Sequence, residues 1–263
     1  MKQQDSEARQ VEAKGEVRRM KHEQSTQAAE ILKQSLSTSL KRSMDLAQEK
    51  GASTWLTSLP IQEFGFTLHK RAFQDAMALR YNWQPLRTPS TCAYSTKFSI
   101  EHALSCPKGG FPSIRHNEVR DLTANLLTEV CSDVCIEPDL QPVEGEVLSG
   151  SSSNTQDGAR LDIAANGFWG GRFERTFFDV RVFNTHAPSN RNSRCYRKHE
   201  LEKKRQYEKR VREIEHASFT PLVLSATGGM ASEATVFYKR LASCLASKWD
   251  QPYCSTLSEM RTG

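Results

Sequence analysis

The sequence predicts a mixed α/β fold, with the order helix, three strands, helix, strand, helix from Asn117 onward. The first observation is a set of short β-branched and aromatic runs at 134–140, 160–165, 176–183 and 219–225. Runs of this length and composition are typical of strands. The second observation is helical periodicity before the first run, between the third and fourth, and after the fourth. The third is the Gly- and Pro-rich punctuation between these segments.

Length and composition limit the class of protein. The chain has 263 residues, of which 37% are hydrophobic, and a formal net charge of +5. That length holds one globular domain plus appendages, and the mild positive charge suits a polyanionic partner, DNA or else RNA. Seven cysteines without a signal peptide predict a reducing compartment, nuclear or cytoplasmic rather than secreted. No apolar run is long enough to span a bilayer, so no membrane partner is expected.

The chain divides by composition into five predicted segments. They are a polar helical extension (1–50), a helical linker (51–90), a segment containing cysteine and histidine (91–116), an α/β domain (117–250) and a tail (251–263). The extension contains no Pro, which favours helix, although residues 1–25 suit either a solvated helix or disorder. A weak apolar stripe in the extension indicates a docking face, and its members are Ala29, Leu32, Leu36 and Leu40.

Two of the predicted strands each contain one aspartate among apolar residues. Asp162 follows Arg160-Leu161, and Asp179 lies within the run 176–183. The Gly-rich turn between the two runs predicts a hairpin, which would place the aspartates on neighbouring strands with their side chains on one face. Two carboxylates that converge in this way are ligands for Mg²⁺ or Mn²⁺. The alternative is structural: Asp179 pairs with Arg181 or a nearby arginine, and Asp162 caps a turn.

The charged helix after the hairpin offers a lysine to the same place. Glu200, Lys204 and Tyr207 have the spacing i, i+4, i+7, so they share one helical face. A lysine directed at a carboxylate-bound metal stabilises the phosphate in the transition state. Five further basic residues are expected to contact nucleic-acid phosphates without reading bases: Lys203, Arg205, Lys209, Arg210 and Arg212. The alternative is an ordinary solvated face.

The segment that precedes the α/β domain has metal-ligand residues. His102 and Cys106 are four residues apart, and Cys92 comes from the preceding loop, so the three are expected to bind Zn²⁺ weakly. A structural zinc site needs a fourth ligand, for which His116 is a candidate. The alternative is a set of buried, unliganded cysteines with a core histidine.

The order of these motifs resembles two known patterns. A strand with Asp, a strand with Asp-x-basic and a helix with Lys resemble the PD-(D/E)xK restriction-endonuclease-like core, whose αβββαβ order matches the predicted one. More narrowly, residues 51–248 resemble the C-terminal region of a non-LTR retrotransposon polyprotein, a zinc knuckle followed by a restriction-like endonuclease. The motifs that carry this resemblance are Cys92…His102…Cys106, Arg115-His116-Asn117, Arg160-Leu161-Asp162, Asp179-Val180-Arg181 and Lys204-x-x-Tyr207. Three positions depart from the family pattern: Leu161 replaces Pro, Arg181 replaces Lys, and Tyr94 replaces the second Cys of the knuckle.

The resemblance implies a metal-dependent endonuclease that nicks target DNA for a retroelement. It implies catalytic roles for Asp162, Asp179, Lys204, Arg181 and Glu118. Glu118 would be an auxiliary acid, although an acid near a helix N-terminus is also favoured by the helix dipole alone. If the chain is part of a polyprotein, the polymerase portion of that element is the expected partner. The departures favour a second interpretation, a catalytically dead nucleic-acid-binding remnant, and a third is an interaction module that uses the N-terminal helix.

Overall fold

The computed structural model describes residues 2–49, 51–57, 67–106, 108, 111–141, 160–190, 192, 194–253 and 255–256. The chain forms two compact units, 1–45 and 46–263. Within the described part, no helix is long and apolar enough to cross a membrane. All cysteines described there are free thiols. Residues 142–159, which contain the punctuation between the first and second predicted strands, lie outside the described residues.

The N-terminal extension is helical, as the lack of proline predicts. Helix α1 spans Lys2–Ser35 and helix α2 spans Thr38–Gln48. In the first unit, Lys33 forms ion pairs with Glu30 at 3.3 Å and with Asp45 at 2.8 Å. Two residues of the apolar stripe, Leu32 and Leu40, are exposed, and the other two, Ala29 and Leu36, are partly exposed.

The linker contains a short helix α3 (Thr54–Thr57) and a longer helix α4 (Lys70–Tyr81). The Arg80 side chain fastens α4 to the preceding segment, since it donates to the Ala52 carbonyl at 3.2 Å and to Ser53 Oγ at 2.7 Å. Asn82 adopts a left-handed conformation with φ of 55° and ends α4, as asparagine often does. Helix α5 (Ile100–Ala103) then lies within the cysteine-containing segment.

Four strands form one open, mixed sheet in the order β1-β2-β3-β4. They are β1 (Ser132–Ile136), β2 (Ile163–Asn166), β3 (Arg175–Phe183) and β4 (Ser218–Ser225). β1 and β2 are antiparallel, β2 and β3 form the predicted antiparallel hairpin, and β3 pairs with β4 in parallel. Gly167, with φ of +88°, begins the turn of the hairpin, where a residue without Cβ is favoured.

Helices cover both faces of the sheet. Helix α6 (Phe111–Thr128) and helix α8 (Ser232–Trp249) pack on one face, where Phe178 and Phe237 meet in the main core. Helix α7 (Cys195–Glu213) packs on the other face through Tyr207 and Val211. The predicted helix–strand order and the α/β class are therefore confirmed. The expected inward residues of α8 are fully buried: Phe237, Leu241 and Leu245.

Three element boundaries differ from the prediction by three residues or more. Strand β2 begins at Ile163 rather than Arg160, so Asp162 directly precedes the strand that was predicted to contain it. Helix α6 begins at Phe111 rather than Asn117, because Pro112 is well suited to the first turn of a helix. His116 is therefore a helical residue of the α/β domain rather than part of the cysteine segment. Strand β1 ends at Ile136 instead of reaching Leu140, because Glu137 takes a left-handed conformation with φ of 51°.

Candidate active site and metal cluster

Asp179 is a buried carboxylate in the middle of β3. Odd-numbered residues of β3 face α7, since Phe177 packs with Tyr207 while Phe178 lies in the opposite core. Asp179 shares this α7 face and is only 3% exposed. Burial raises the pKa of Asp179 to about 6, and the negative charge of Asp162 contributes to the rise, while the Lys203 ammonium opposes it. The Asp162 carboxylate is close by, because it accepts a hydrogen bond from the amide of Val180, the residue after Asp179.

Asp162 lies where the chain bends into β2, and two hydrogen bonds orient its carboxylate. The Val180 amide of β3 donates to Oδ2 at 2.6 Å, and His116 Nε2 of α6 lies 3.1 Å from Oδ1. A carboxylate oxygen only accepts, so Nε2 carries the hydrogen. The alternative named Asp162 as the cap of a turn, but the amide that its carboxylate accepts belongs to strand β3. An ionised carboxylate has about four acceptor positions, so these two bonds leave room for a cation.

Lys203, rather than Lys204, is the lysine at the aspartates. Lys203 Nζ lies 2.7 Å from Asp179 Oδ2, and its side chain is 17% exposed. Lys204 instead forms an ion pair with Glu233 of α8, whose amide donates to Glu200 at 2.8 Å. The expectation that Lys204 faces the aspartates is therefore wrong in its geometry. Glu200 and Lys204 do share a face, but Tyr207 points with Lys203 toward the sheet.

Arg181, the expected substitute for the family lysine, lies on the same face of β3 as Asp179 but pairs with an acid of α7. Its Nη1 donates to Glu202 Oε2 of α7 at 2.8 Å. The structural alternative that paired Asp179 with Arg181 is not what the chain does, since each of these residues has a partner on α7. Helix α7 covers the face of β3 that carries Asp179 and Arg181. Its consecutive residues Glu202 and Lys203 pair with Arg181 and Asp179 respectively.

Glu118, the expected auxiliary acid, is exposed on α6, and no contact with Asp162 or Asp179 is described for it. Another acid in this region is Glu137, whose amide donates to the Asp162 carbonyl at 2.8 Å. Its carboxylate receives Arg120 Nη1 at 2.6 Å and also the Arg160 guanidinium. The residue of α6 that reaches Asp162 is His116, two positions before Glu118. A helix places residues two apart on different faces, so both side chains cannot serve the same carboxylate.

The aspartate pair fits a divalent cation by the chemistry of its donors. Apart from the ion pair with Lys203, no described residue offers a hydrogen bond to the buried Asp179 Oδ2. A buried carboxylate oxygen with one ammonium partner has unused acceptor capacity, which costs free energy unless a cation or water meets it. Oxygen ligands from one or two carboxylates are the set that Mg²⁺ takes in proteins. The Lys203 ammonium shares the oxygen that such a cation would use.

The predicted phosphate-binding residues of α7 divide into exposed and inward positions. A surface groove of about 310 Å³ runs along one face of the helix, and its lining residues are Leu201, Lys204, Arg205, Glu208, Lys209 and Arg212. Lys203 is not among them, because it faces the sheet. Arg210 donates to the Gln141 carbonyl at 2.8 Å, which leaves it less free for a ligand. Three of the five predicted residues therefore share an exposed basic groove.

Cys92, His102 and Cys106 form a cluster that can hold a metal ion. One ligand atom from each lies within 4.8 Å of the other two. His102 Nε2 is buried without a hydrogen-bond partner, which suits a nitrogen that ligates a metal. Ser99 accepts the His102 amide at 3.1 Å and caps α5. The predicted three-residue set is therefore brought together, although Cys106 lies beyond the end of α5.

The environment of Cys92 favours a thiolate. Desolvation alone would raise the pKa of Cys92, but backbone hydrogen bonds from Tyr94 and Thr96 and the His102 side chain lower it to about 6. The Tyr94 amide lies 3.2 Å from Cys92 Sγ. Metals bind the deprotonated form of cysteine. His116, the candidate fourth ligand, is committed to Asp162, and Tyr94 is half exposed beneath the Lys108 ammonium.

The sequence patterns predicted phosphate contacts for Lys203 and zinc binding for His116, and sequence reasoning missed both as neighbours of the aspartates, although a signal for Lys203 was present. The buried positions Cys195, His199, Tyr207 and Val211 of α7 recur every four residues, and Lys203 occupies the vacant place in that series. Lys204 lies about 100° further round the helix. His116 was predicted to precede helix α6, so helical periodicity could not indicate which way its side chain points.

A scan against protein-family models and a search of curated proteins found no match for this chain.

Proposed function

We propose that this protein is a metal-dependent DNA endonuclease with a restriction-endonuclease-like core. The observation that carries the proposal is the site at which Lys203 of α7 pairs with Asp179, beside Asp162. The chain around this site has the helix–strand order that the resemblance implies. A buried carboxylate pair with a lysine beside it suits phosphodiester hydrolysis, which requires a cation and stabilisation of negative charge. The exposed basic groove of α7 offers phosphate contacts on the same helix.

The mechanism assigns one task to each residue of the site. Asp162 and Asp179 would hold Mg²⁺ or Mn²⁺, which when bound supplies a water of lowered pKa and neutralises charge on the phosphate. The Val180 amide and His116 fix the Asp162 carboxylate, so its oxygens keep one direction. Lys203 places an ammonium beside Asp179, where it stabilises the negative charge that develops on the phosphate.

The proposal assigns a structural role to the Cys92–His102–Cys106 cluster, with Zn²⁺ as the metal. Two thiolates and one imidazole are ligands that Zn²⁺ prefers. Within the described residues the cluster supplies three ligands, so one coordination position would be left to water. Such a site binds less tightly than a full four-ligand site.

Supercoiled plasmid nicking tests the proposed activity. The full chain is incubated with plasmid and Mg²⁺ or Mn²⁺, and open-circular product is measured against time. We expect nicking that stops in chelator, that is lost in Asp179→Asn and Asp162→Asn, and that falls at least about 100-fold in Lys203→Met. Cleavage that continues in chelator, or that survives Asp179→Asn, contradicts the mechanism.

Lys204→Met is the matched control for Lys203→Met. Both changes remove one ammonium from α7, but Lys204 pairs with Glu233 and not with the aspartates. We expect Lys204→Met to retain nicking within about threefold of the unmodified chain, a change of about 0.6 kcal/mol. Equal losses in the two variants would show that the general charge of α7, rather than the site, is responsible.

A second candidate function is nucleic-acid binding without catalysis. It is favoured by the ion pair of Arg181 with Glu202, because the basic residue of the Asp-x-basic motif is engaged by an acid of α7. It predicts salt-sensitive binding of duplex DNA with no nicking in any divalent metal. Binding and nicking measured on the same preparation separate the two functions.

A further inference from the structure

A series of side-chain hydrogen bonds starts at the metal cluster and leads into the core. Asn184 directly follows β3 and is 6% exposed. Its Nδ2 donates to the Glu101 carbonyl at 3.1 Å and to Ser105 Oγ at 2.8 Å. Each acceptor belongs to the residue immediately before a cluster ligand, His102 or Cys106. Asn184 Oδ1 accepts the His186 amide at 2.9 Å, which fixes the orientation of the Asn184 amide.

The series continues from Asn184 to α7. Asn190 Nδ2 donates to the Asn184 carbonyl at 2.8 Å, and Asn190 Oδ1 lies 3.0 Å from His199 Nε2. His199 is 4% exposed, and its ring contacts Phe183 at 4.6 Å between centroids. It lies one helical turn before Lys203, the residue that pairs with Asp179. Buried polar groups that satisfy one another in this way hold a unique arrangement.

A second connection reaches the other aspartate. Arg115 Nη2 of α6 donates to the Leu104 carbonyl at 3.3 Å, and the next residue, His116, contacts Asp162. The cysteine segment itself has few buried apolar residues in the described part, with Cys106 the clearest. A segment with so little core depends on other interactions to stay ordered, and a bound metal supplies them.

We propose that Asn184 is a positioning residue that couples the metal cluster to helix α7. Metal bound at Cys92, His102 and Cys106 then orders residues 195–203 of α7, from which Lys203 reaches Asp179. The inference rests on the metal site of the proposed function, but not on DNA cleavage. When the metal orders the cysteine segment, the Glu101 carbonyl and Ser105 hydroxyl hold Asn184, and Asn190 and His199 are held in turn. Coupling between two sites is reciprocal, so loss of Asn184 also weakens the metal site.

Hydrogen–deuterium exchange on the full chain tests the coupling. Amide exchange is measured with Zn²⁺ and with chelator, in peptides that cover 91–106 and 195–203. In the unmodified chain we expect Zn²⁺ to slow exchange in both regions, by at least about fivefold in 195–203, the lower end of usual coupling factors. In Asn184→Asp, which loses both donors, Zn²⁺ still slows exchange in 91–106 but not in 195–203.

Asn125→Asp is the matched control, because it makes the same chemical change at an exposed position of α6 and is expected to behave as the unmodified chain. Ser105→Ala removes one acceptor of Asn184 and leaves the cluster residues in place, so it should give an intermediate effect if Asn184→Asp fails to fold. An unchanged zinc effect at 195–203 in both Asn184→Asp and Ser105→Ala overturns the role of Asn184. Absence of any zinc effect at 195–203 in the unmodified chain overturns the coupling.

Cobalt spectroscopy supplies the reciprocal measurement. Co²⁺ bound by two thiolates and an imidazole gives visible absorption bands, so titration reads occupancy of the cluster directly. We expect Asn184→Asp to weaken Co²⁺ binding by about the same factor that separates the exchange rates at 195–203, with Asn125→Asp unchanged. Equal Co²⁺ affinity in both variants, or no cobalt signal, overturns the inference. If the unmodified chain shows the zinc coupling but does not nick plasmid, only the proposed function is overturned.

Discussion

Replacing Lys203 with methionine should destabilise the protein far more at pH 8 than at pH 5. Methionine keeps the unbranched shape but leaves the Asp179 carboxylate, which is 3% exposed, without its ammonium partner. Removing one partner of a buried ion pair typically costs about 3–5 kcal/mol while the remaining group stays charged. Asp179 avoids this cost by binding a proton, so the effect depends on pH.

The pKa of Asp179 sets the pH window. Burial raises it from 3.8 to about 6, so the folded protein binds a proton that the unfolded chain releases between these values. The stabilisation from that proton is complete below pH 3.8 and is lost as the pH rises through 6. A shift of this size corresponds to about 3 kcal/mol. Without Lys203, which opposes the rise, the pKa of Asp179 moves higher still.

Urea unfolding at pH 5 and pH 8 measures the effect. We expect Lys203→Met to lower the free energy of unfolding by about 3 kcal/mol at pH 8 and by less than about 1 kcal/mol at pH 5. Lys204→Met should cost no more than about 1 kcal/mol at either pH, because its pair with Glu233 is partly exposed. When Asp179 is already replaced by asparagine, the free energy of unfolding lost on adding Lys203→Met should depend little on pH. Equal losses for the two lysines, or a loss for Lys203→Met that is the same at both pH values, would refute the assignment.

Three further changes test other parts of the structure. Arg212→Gln in the α7 groove should reduce the slope of log affinity for duplex DNA against log salt concentration by about 1, as measured by fluorescence anisotropy. If the affinity of the unmodified chain did not change with salt, the groove would be an ordinary solvated face. Tyr94→Cys should tighten Zn²⁺ binding and raise the melting temperature only when zinc is present, while tight one-to-one zinc in the unmodified chain would contradict the three-ligand cluster. Gly229→Ala should lower the free energy of unfolding by about 1–3 kcal/mol, because the new Cβ would overlap the Tyr196 hydroxyl. Gly171→Ala, whose Cβ would meet open space, should lower it much less. Similar melting temperatures for the two variants would count against the packing around Gly229.

The strand and helix order could be read from the sequence because local chemistry and tertiary packing agree. The run of β3 is rich in aromatic and β-branched residues, that of β2 is short and mostly apolar, and Gly167 permits the turn between them. Phe237, Leu241 and Leu245 keep a helical period, and all three are buried in the main core. Where local preference and tertiary packing favour the same structure, sequence periodicity is sufficient to predict the element.

The partners of the site residues could not be read in the same way. Asp162 and Asp179 stand out because a carboxylate in an apolar strand is unusual, but their partners come from α6 and α7. Which lysine of the pair 203 and 204 faces the sheet depends on how α7 is rotated on it, a tertiary property. The choice becomes clear only when the buried stripe of α7 is known.

The cysteine segment shows a different limit. The spacing of His102 and Cys106 predicts that they approach through a helical turn, yet α5 ends at Ala103. Cys106 reaches the cluster after the helix has ended. Spacing identified the right residues because a short loop as well as a helix can bring them together. The network through Asn184 joins residues about eighty positions apart, and no local pattern indicates it.

The most direct test of the aspartate site is a Mn²⁺ titration followed by electron paramagnetic resonance, with the cysteine cluster first saturated with Zn²⁺. We expect the unmodified chain to bind Mn²⁺, Asp179→Asn to lose that binding, and Lys203→Met to bind more tightly, because its ammonium no longer competes for Asp179 Oδ2. Mn²⁺ binding that is absent from the unmodified chain, or that is unchanged in Asp179→Asn, would contradict the assignment of this carboxylate pair as a metal site.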